Sequence, residues 1–253
     1  MDQILILLFF YFLILYSIMG YGKIFTLINS NYQASSFDGL LGLALLIFIS
    51  YLTNIFSPHD YLHNSIVILF GLIVFVYDFR QNFFKRKKEL RDLTIIFSII
   101  FMGLLMYKNH DDFFYYHFPY TIILTEFEKV FGLGNLNHGF RTPSSIFYLN
   151  SLFYLPGIKY FFLNSGAVYI FGFSNFVLYN VIKDQLVKKD FNHILFLSLL
   201  SLLYINTTFP RLSEHGTDRS ALILIFLMSI FYLKSLNYEK KKLDQKYFSN
   251  YYL

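Results

Sequence analysis

The chain has 253 residues, of which 56% are hydrophobic, 22% aromatic and only 15% charged, and its mean hydropathy is +0.48. This is too little polar surface to cover a water-soluble globule, so the composition predicts a membrane protein that crosses the bilayer several times. The sequence has 33 Phe and 22 Tyr but no Trp, and such aromatic side chains anchor at membrane interfaces as well as pack. The absence of cysteine excludes disulfides, thiol catalysis and cysteine metal sites.

Seven apolar stretches predict an all-α fold, a polytopic transmembrane helix bundle of about seven spans that forms one domain over residues 1–253. The stretches are Ile4–Met19, Leu40–Phe56, Leu62–Tyr77, Leu93–Tyr107, Gly166–Ile182, His193–Ile205 and Ser220–Leu236. Between Ser144 and Leu163 an apolar stretch is interrupted by Pro156 and Gly157, and we expect a re-entrant or tilted hairpin there. The chain stops just after a basic stretch, and we expect that a further C-terminal portion is missing or degenerate.

The distribution of basic residues predicts how the spans are oriented. Alternation of the spans places most Lys and Arg residues on one face, chiefly in the loop Arg80–Arg91 and in the tail after Leu236. The positive-inside rule assigns that face to the cytoplasm. The loops 108–143 and 206–219 then share the exterior face, where we expect them to form one site. The basic stretches orient the spans and attract anionic membrane lipids, so we expect no nucleic-acid partner.

The exterior loop 108–143 contains the most polar segment next to a span. From the paired acids Asp111 and Asp112 onward, helical spacing predicts an interfacial helix that lies flat in the headgroup region. Its apolar side would carry Phe113, Tyr116, Tyr120, Ile123, Leu124 and Phe127, and its polar side Thr121, Thr125, Glu126, Glu128 and Lys129. Gly132 and Gly134 would end this helix and begin a polar loop that Pro143 stops.

Three acids are candidates for catalytic groups. Asp111 and Asp112 directly follow a span, where two adjacent carboxylates can activate an acceptor hydroxyl or bind a cation. They also fit an ordinary helix start, since Asp is a good N-cap and is stabilised by the helix dipole. Asp218, at the start of the last span, has the same alternatives: it caps that helix, or it faces the first pair across a shared cleft.

His117 and three arginines are candidates for binding a phosphate or a sugar. His117 can donate to a phosphate or accept from a sugar hydroxyl, although a His beside Tyr116 more often packs at the interface. Arg141, Arg211 and Arg219 offer forked donors to a lipid phosphate, and ordinary interfacial anchoring is the alternative. Within 109–143 no two histidines stand three or four residues apart, so we expect no zinc site.

An acid directly after a span, a flat exterior helix and a second exterior loop with an acid resemble the layout of the GT-C superfamily of integral-membrane glycosyltransferases. More narrowly, the segment Asp112–Arg141 resembles a family of uncharacterised bacterial membrane proteins regarded as glycosyltransferase-like. In that family an Asp precedes a Tyr-His pair, here Tyr116 and His117. A Gly-Leu-(Gly or Ala)-Asn-Leu run, here Gly132–Leu136, then leads to an Arg and a Gly-Phe. In this chain the last two elements stand in altered order.

The resemblance implies an enzyme that transfers a sugar, with inversion, from a polyprenyl-phosphate donor to a glycan or lipid acceptor outside the bacterial inner membrane. Asp112 would be the base or would orient the acceptor, Asp111 would support it or bind a cation, and Asp218 would be the second acid. The residues expected to bind substrate are His117, Asn135, Arg141, Arg211 and Arg219. No cofactor is expected, and a divalent cation is left open. The alternative function is a non-catalytic partner or carrier for lipid-linked glycans.

Overall fold

The computed structural model describes residues 2–28, 35–105, 111–209 and 217–251; for some of them, including Asp218, only the backbone is described. Most of these residues are helical, and the rest form turns and short connections, which confirms the all-α prediction. The longer helices are α1 (Asp2–Ile28), α2 (Asp38–Asn54), α3 (Tyr61–Leu104), α4 (Phe118–Glu126), α5 (Ser145–Ser151), α6 (Gly166–Val187), α7 (His193–Thr208) and α8 (Thr217–Tyr251).

Three stretches among the described residues are long and apolar enough to cross a membrane. They are Gln3–Phe25 in α1, Tyr61–Phe84 in α3 and Arg219–Leu236 in α8. The helices α2 and α7 are apolar but shorter, with 17 and 16 residues, where an upright span needs roughly 20. The structure therefore agrees with a membrane protein, but helix length and composition do not support the predicted number of about seven spans.

Helix α3 replaces the predicted loop Arg80–Arg91. The helix continues through this basic stretch, and inside it Asn82 adopts a non-helical conformation (φ −115°, ψ 20°). The Asn82 side chain donates to the carbonyl and the carboxylate of Asp78, at 3.3 and 3.1 Å. We call residues 61–81 the first arm of α3 and residues 83–104 its second arm. The expectation of a loop was wrong because basic side chains stay solvated on a helix as well as in a loop.

The two arms run in opposite directions along α1. On the first arm, residue numbers rise as those of α1 rise; on the second arm they fall. The contacts pair Ser17 with Ile68 and Gly20 with Gly71 on the first arm, and Tyr16 with Thr94 and Tyr11 with Phe97 on the second. The chain therefore folds back at Asn82.

Close helix packing holds α1 between its neighbours. A Cβ atom added to Gly20 would lie 1.8 Å from the carbonyl oxygen of Gly71, and one added to Gly42 would lie 1.9 Å from that of Ile18. Glycine permits this approach of backbones, which is the usual way in which membrane helices pack. Helix α6 occupies the centre of the bundle, and its residues from Gly166 to Leu178 are all buried.

Charged side chains meet inside the bundle where α1 ends and α3 reverses. Lys23 and Asp38 form a buried ion pair, and Arg86 lies 3.0 Å from Asp78 and 3.5 Å from Asp38. Two basic residues that the sequence analysis counted toward orientation are therefore committed to internal ion pairs. Their partners offset part of the charge on which the orientation was based.

We call residues 111–165 the cap, because they cover the opposite end of the bundle. The end of α2 binds the cap through the Asn54 side chain, which donates to the Phe127 carbonyl at 3.2 Å. The start of α6 binds it through the Gly166 N–H, which donates to Asn150 at 2.7 Å. The predicted hairpin takes the form of helix α5 followed by a tight turn in which Leu155 and Lys159 pair. The cap carries most of the described candidate residues.

Candidate functional site

The cap opens with a turn of π-helix, Phe113–His117, which continues into α4. Pro119 has no N–H, so it cannot donate to the Tyr115 carbonyl as an α-helix would require. That carbonyl instead accepts from the Asn137 side chain at 3.2 Å. A proline and a distant amide thus stabilise the wide turn, and single turns of π-helix occur frequently at functional sites.

Helix α4 differs from the predicted interfacial helix in length and in its faces. It ends at Glu126, so the prediction that the two glycines end it was wrong. Thr121 and Thr125 are buried and Phe127 is 53% exposed, contrary to the faces predicted for these three residues, whereas Tyr120 and Leu124 of the predicted apolar side are buried. Both threonine hydroxyls donate to backbone carbonyls of their own segment at 2.8 Å, which satisfies them inside the protein. Gly132, in the left-handed conformation (φ 82°), instead begins a short 3-10 turn.

Tyr116 connects Asp112 to other candidate residues of the cap. The Tyr116 hydroxyl donates to the Asp112 carboxylate at 3.4 Å, and the Tyr116 ring meets the His117 ring edge to face at 4.3 Å. Tyr116 also lies against Gly139, where an added Cβ would lie 2.4 Å from the ring. Tyr116 therefore joins one candidate acid, one candidate phosphate ligand and the polar loop. Asp111 is exposed beside Asp112.

His117 packs between aromatic rings. Its ring centroid lies 4.9 Å from that of Phe147 on α5, in addition to the contact with Tyr116. Its carbonyl accepts from the Thr121 hydroxyl. This placement fits the packing interpretation, while the partly buried ring stays in the same neighbourhood as Asp112.

The polar loop folds onto the π-turn. Asn137 accepts from the Gly139 N–H at 2.9 Å and donates to Tyr115. Arg141 and Asn135 are exposed, and the Arg141 Nε donates to the Gly134 carbonyl at 3.4 Å. Only one of the five guanidinium N–H groups takes part in that bond, so Arg141 keeps donors for a ligand.

The second predicted exterior loop is only partly described. Arg211 and the side chain of Asp218 lie outside the described residues, and the Asp218 backbone belongs to the first turn of α8. Arg219 is exposed; it donates to the Thr208 carbonyl at 3.3 Å and lies 5.5 Å from the centre of the Phe209 ring. These contacts hold Arg219 at the junction of α7 and α8.

A buried polar cluster that sequence patterns did not predict lies beneath the cap. His59 Nδ1 lies 2.6 Å from the Ser151 hydroxyl, and its Nε2 lies 3.1 Å from the Ser50 carbonyl. The Asn64 amide nitrogen lies within 2.9 Å of three carbonyls, those of His59, Ser151 and Tyr154. The sequence does contain an indication of this cluster, because polar residues fill the short connection between the second and third apolar stretches. The cluster fixes the cap to α2 and α3.

A second group that was missed lies between α2, α4 and α5. Lys129 Nζ donates to the Tyr148 hydroxyl at 2.9 Å. That hydroxyl lies 3.3 Å from the Tyr120 hydroxyl, and the Tyr51 ring stacks on Tyr148 at 4.0 Å. Helical spacing predicted Lys129 only on the polar face of the interfacial helix. We call Lys129, Tyr120 and Tyr148 the lysine–tyrosine cluster.

Residues 4–252 match the family model described as "Domain of unknown function (DUF8201)". The chain belongs to this family. No curated protein and no solved structure matches it. The DUF8201 match covers the bundle and the cap together, so the cap is part of the family's domain.

In this DUF8201 chain the cap offers acid, hydrogen-bonding and cationic groups within one folded segment. Asp112 can accept a proton, and Arg141 can neutralise a phosphate. Among the residues that the structure describes, no three His, Asp or Glu side chains are grouped to hold a metal ion. The divalent cation left open by the sequence analysis thus has no described set of ligands.

Proposed function

We propose that this protein is an integral-membrane, glycosyltransferase-like enzyme that transfers a sugar from a polyprenyl-phosphate donor to an acceptor at the cap. The observation that carries the proposal is the position of Tyr116. It contacts Asp112, His117 and Gly139, and so gathers the segment Asp112–Arg141 around one point. This is also the segment that resembles glycosyltransferase-like membrane proteins.

The proposed reaction is a direct displacement at the anomeric carbon of the donor sugar. The acceptor oxygen forms the new bond, and its proton passes to the Asp112 carboxylate. The bond from the sugar to the phosphate breaks, and the phosphate leaves with the electron pair. Arg141 offers the charge-assisted hydrogen bonds that stabilise this leaving group. The Tyr116 hydroxyl holds the acid in place, which supports orientation of the acceptor.

We further propose that the bundle crosses the membrane seven times, through α1, α2, the two arms of α3, α6, α7 and α8. The fold-back at Asn82 supports two crossings by α3. The cap then lies at the exterior face of the bacterial inner membrane. Apolar side chains at the end of α2 support a lipid surface beside the cap, since Ile55 is 49% and Phe56 80% exposed. A polyprenyl carrier would approach along that surface.

The test of the proposed function is Asp112→Asn, compared with Glu126→Gln as the matched control. Both changes remove one carboxylate from the cap, and Glu126 is exposed at the end of α4. We expect Asp112→Asn to lower sugar transfer at least about 100-fold, because a positioned general base contributes that much. Glu126→Gln should transfer sugar like the wild type.

The measurement is the glycan profile of cells that carry each variant at equal membrane abundance, followed by transfer from labelled polyprenyl-phosphate sugar in purified membranes. Loss of one glycan linkage in Asp112→Asn alone would support the transferase. An unchanged profile in Asp112→Asn would contradict it and would favour the carrier or partner.

A further inference from the structure

Lys129 is a cation whose position is fixed but which forms no ion pair among the described residues. Its backbone N–H donates to the Asn54 carbonyl at 2.8 Å, at the end of α2. Asn54 is fully buried and also donates to the Phe127 carbonyl, so the backbone before Lys129 is held on both sides. The Lys129 side chain is partly buried, and its ammonium group donates to a phenol, which is a neutral acceptor and leaves the positive charge without an anion among the described residues.

The lysine–tyrosine cluster has more donors than acceptors. An ammonium group cannot accept, so the Tyr148 oxygen accepts from Lys129. Between Tyr148 and Tyr120, one hydroxyl donates to the other, and the second phenol proton takes no part in these bonds. Burial, and then hydrogen bonding with Tyr148, raise the pKa of Tyr120, so its hydroxyl stays protonated and remains a donor. An oxyanion would complete the cluster.

The cluster lies next to an outward apolar surface. Tyr51 of α2, which stacks on Tyr148, is 37% exposed, and along the same helix Phe48 is 59% and Leu52 45% exposed. A phosphate that enters beside Tyr51 would therefore carry a hydrocarbon chain along α2. Tyrosine and lysine side chains are typical of the level of lipid headgroups.

The same cluster lies close to the residues of the proposed reaction. The Phe147 ring is 5.7 Å from Tyr120 on one side and 4.9 Å from His117 on the other. The cluster and the neighbourhood of Asp112 thus share one aromatic side chain. A ligand whose phosphate binds at Lys129 would place its next group toward Tyr116 and Asp112.

We propose that Lys129, with Tyr148 and Tyr120, binds the phosphate group of a lipid. Lys129 contacts the phosphate oxygens, Tyr120 or Tyr148 donates a further hydrogen bond, and Tyr51 packs against the first part of the hydrocarbon chain. The link to sugar transfer rests on the proposed function, whereas the phosphate site itself does not. Inorganic phosphate has the same chemistry, so the source of the phosphate is part of the test.

The experiment measures lipid binding to the purified full-length protein in nanodiscs of phosphatidylcholine, titrated with a polyprenyl phosphate. Lys129→Met should weaken this binding at least tenfold, and Tyr148→Phe, which keeps the ring but removes the acceptor, should weaken it several-fold. Lys129→Arg should restore part of the affinity. Lys159→Met is the matched control, because Lys159 is an exposed lysine of the same cap; its affinity should change less than twofold.

Equal losses of affinity for the polyprenyl phosphate in Lys129→Met and Lys159→Met would overturn the proposal, because they would show a general effect of surface charge. Unchanged affinity in a folded Lys129→Met protein, with a thermal unfolding midpoint like that of the wild type, would also overturn it. Competition by millimolar inorganic phosphate at this site would support the phosphate chemistry but assign a soluble source. Asp112→Asn should bind the lipid normally, so failure of the transfer reaction and failure of this site are distinguishable.

Discussion

His59 shows how burial decides the chemistry of a single side chain. It is fully buried, and both ring nitrogens contact protein atoms. Burial is the main reason that its pKa falls to about 3; repulsion by the stacked His63 ring lowers it further, and the bond to the Ser50 carbonyl opposes the change. His59 is therefore neutral at pH 7, and its role is to join α2, α3 and α5.

This pKa predicts that acid destabilises the fold. In the unfolded chain the His59 pKa returns to about 6.5, so the unfolded state binds more protons between pH 6.5 and 3. The contribution of neutral His59 to the free energy of unfolding is fully present above pH 6.5. Below that pH, the free energy of unfolding should fall by about 1.4 kcal/mol for each pH unit. Thermal unfolding in detergent at pH 7.5 and 5 would measure this. The difference in unfolding temperature between the two pH values should be smaller in His59→Gln than in the wild type. It should be unchanged in His138→Gln, which alters an exposed histidine and serves as the control. A wild-type pH dependence in His59→Gln would contradict the assignment of the effect to His59.

Sequence patterns failed at residues whose polarity is satisfied locally. Helical spacing predicts Thr121 and Thr125 on a solvent-exposed face. Each hydroxyl instead donates a hydrogen bond to a nearby backbone carbonyl, which allows the side chain to be buried. Lys129 differs from these threonines because its hydrogen-bond partner is distant: Tyr148 lies 19 residues further along the chain. Periodicity describes the average environment of a face, and it contains no information about such pairs.

At the scale of elements, the apolar stretches predicted helices well because burial and helical hydrogen bonding act together in each. Each of the seven predicted stretches overlaps a helix or one arm of α3. The basic stretch Arg80–Arg91, which spans the reversal at Asn82, was predicted as a loop, because charge density does not distinguish a solvated loop from a solvated helix. The decisive feature, the conformation of Asn82, depends on its bonds to Asp78.

The fold-back of α3 can be tested by cross-linking, because the protein has no cysteine of its own. Phe75 and Thr94 both contact Tyr16, one on each arm. We expect a short bis-maleimide to join the pair Phe75→Cys and Thr94→Cys within one molecule, as detected by mass spectrometry of the digested protein. In a straight α3 these residues would be roughly 28 Å apart and beyond its reach. The single-cysteine variants serve as controls, and failure to cross-link in a folded double variant would contradict the reversal.

At the scale of the whole molecule, the structure separates two polar ends. One end carries the cap, and the other carries the ion pairs of Lys23, Asp38, Asp78 and Arg86. The sequence predicted the division through its basic residues. It could not show that some of those charges are neutralised inside the bundle, because their partners come from different helices.

The orientation of the two ends follows from the proposed topology and can be measured with single cysteines. Leu136→Cys lies on the cap, where Leu136 is 79% exposed, and Val187→Cys lies at the end of α6, where Val187 is 78% exposed. We expect a membrane-impermeant maleimide to label the first variant in intact spheroplasts and to label the second only after the membrane is opened. The reverse pattern would contradict an exterior cap.

The π-turn at the start of the cap has a consequence for the direction in which Asp112 points. Compared with an α-helix, this turn contains one extra residue, which rotates everything before it by about 100° around the helix axis. The Asn137 amide holds the turn in that register through the Tyr115 carbonyl. A ligand that displaces the loop would remove this donor, and the Pro119 nitrogen, which carries no proton, could not replace it. The direction of the Asp112 carboxylate thus depends on Pro119 and on a side chain 25 positions after the acid.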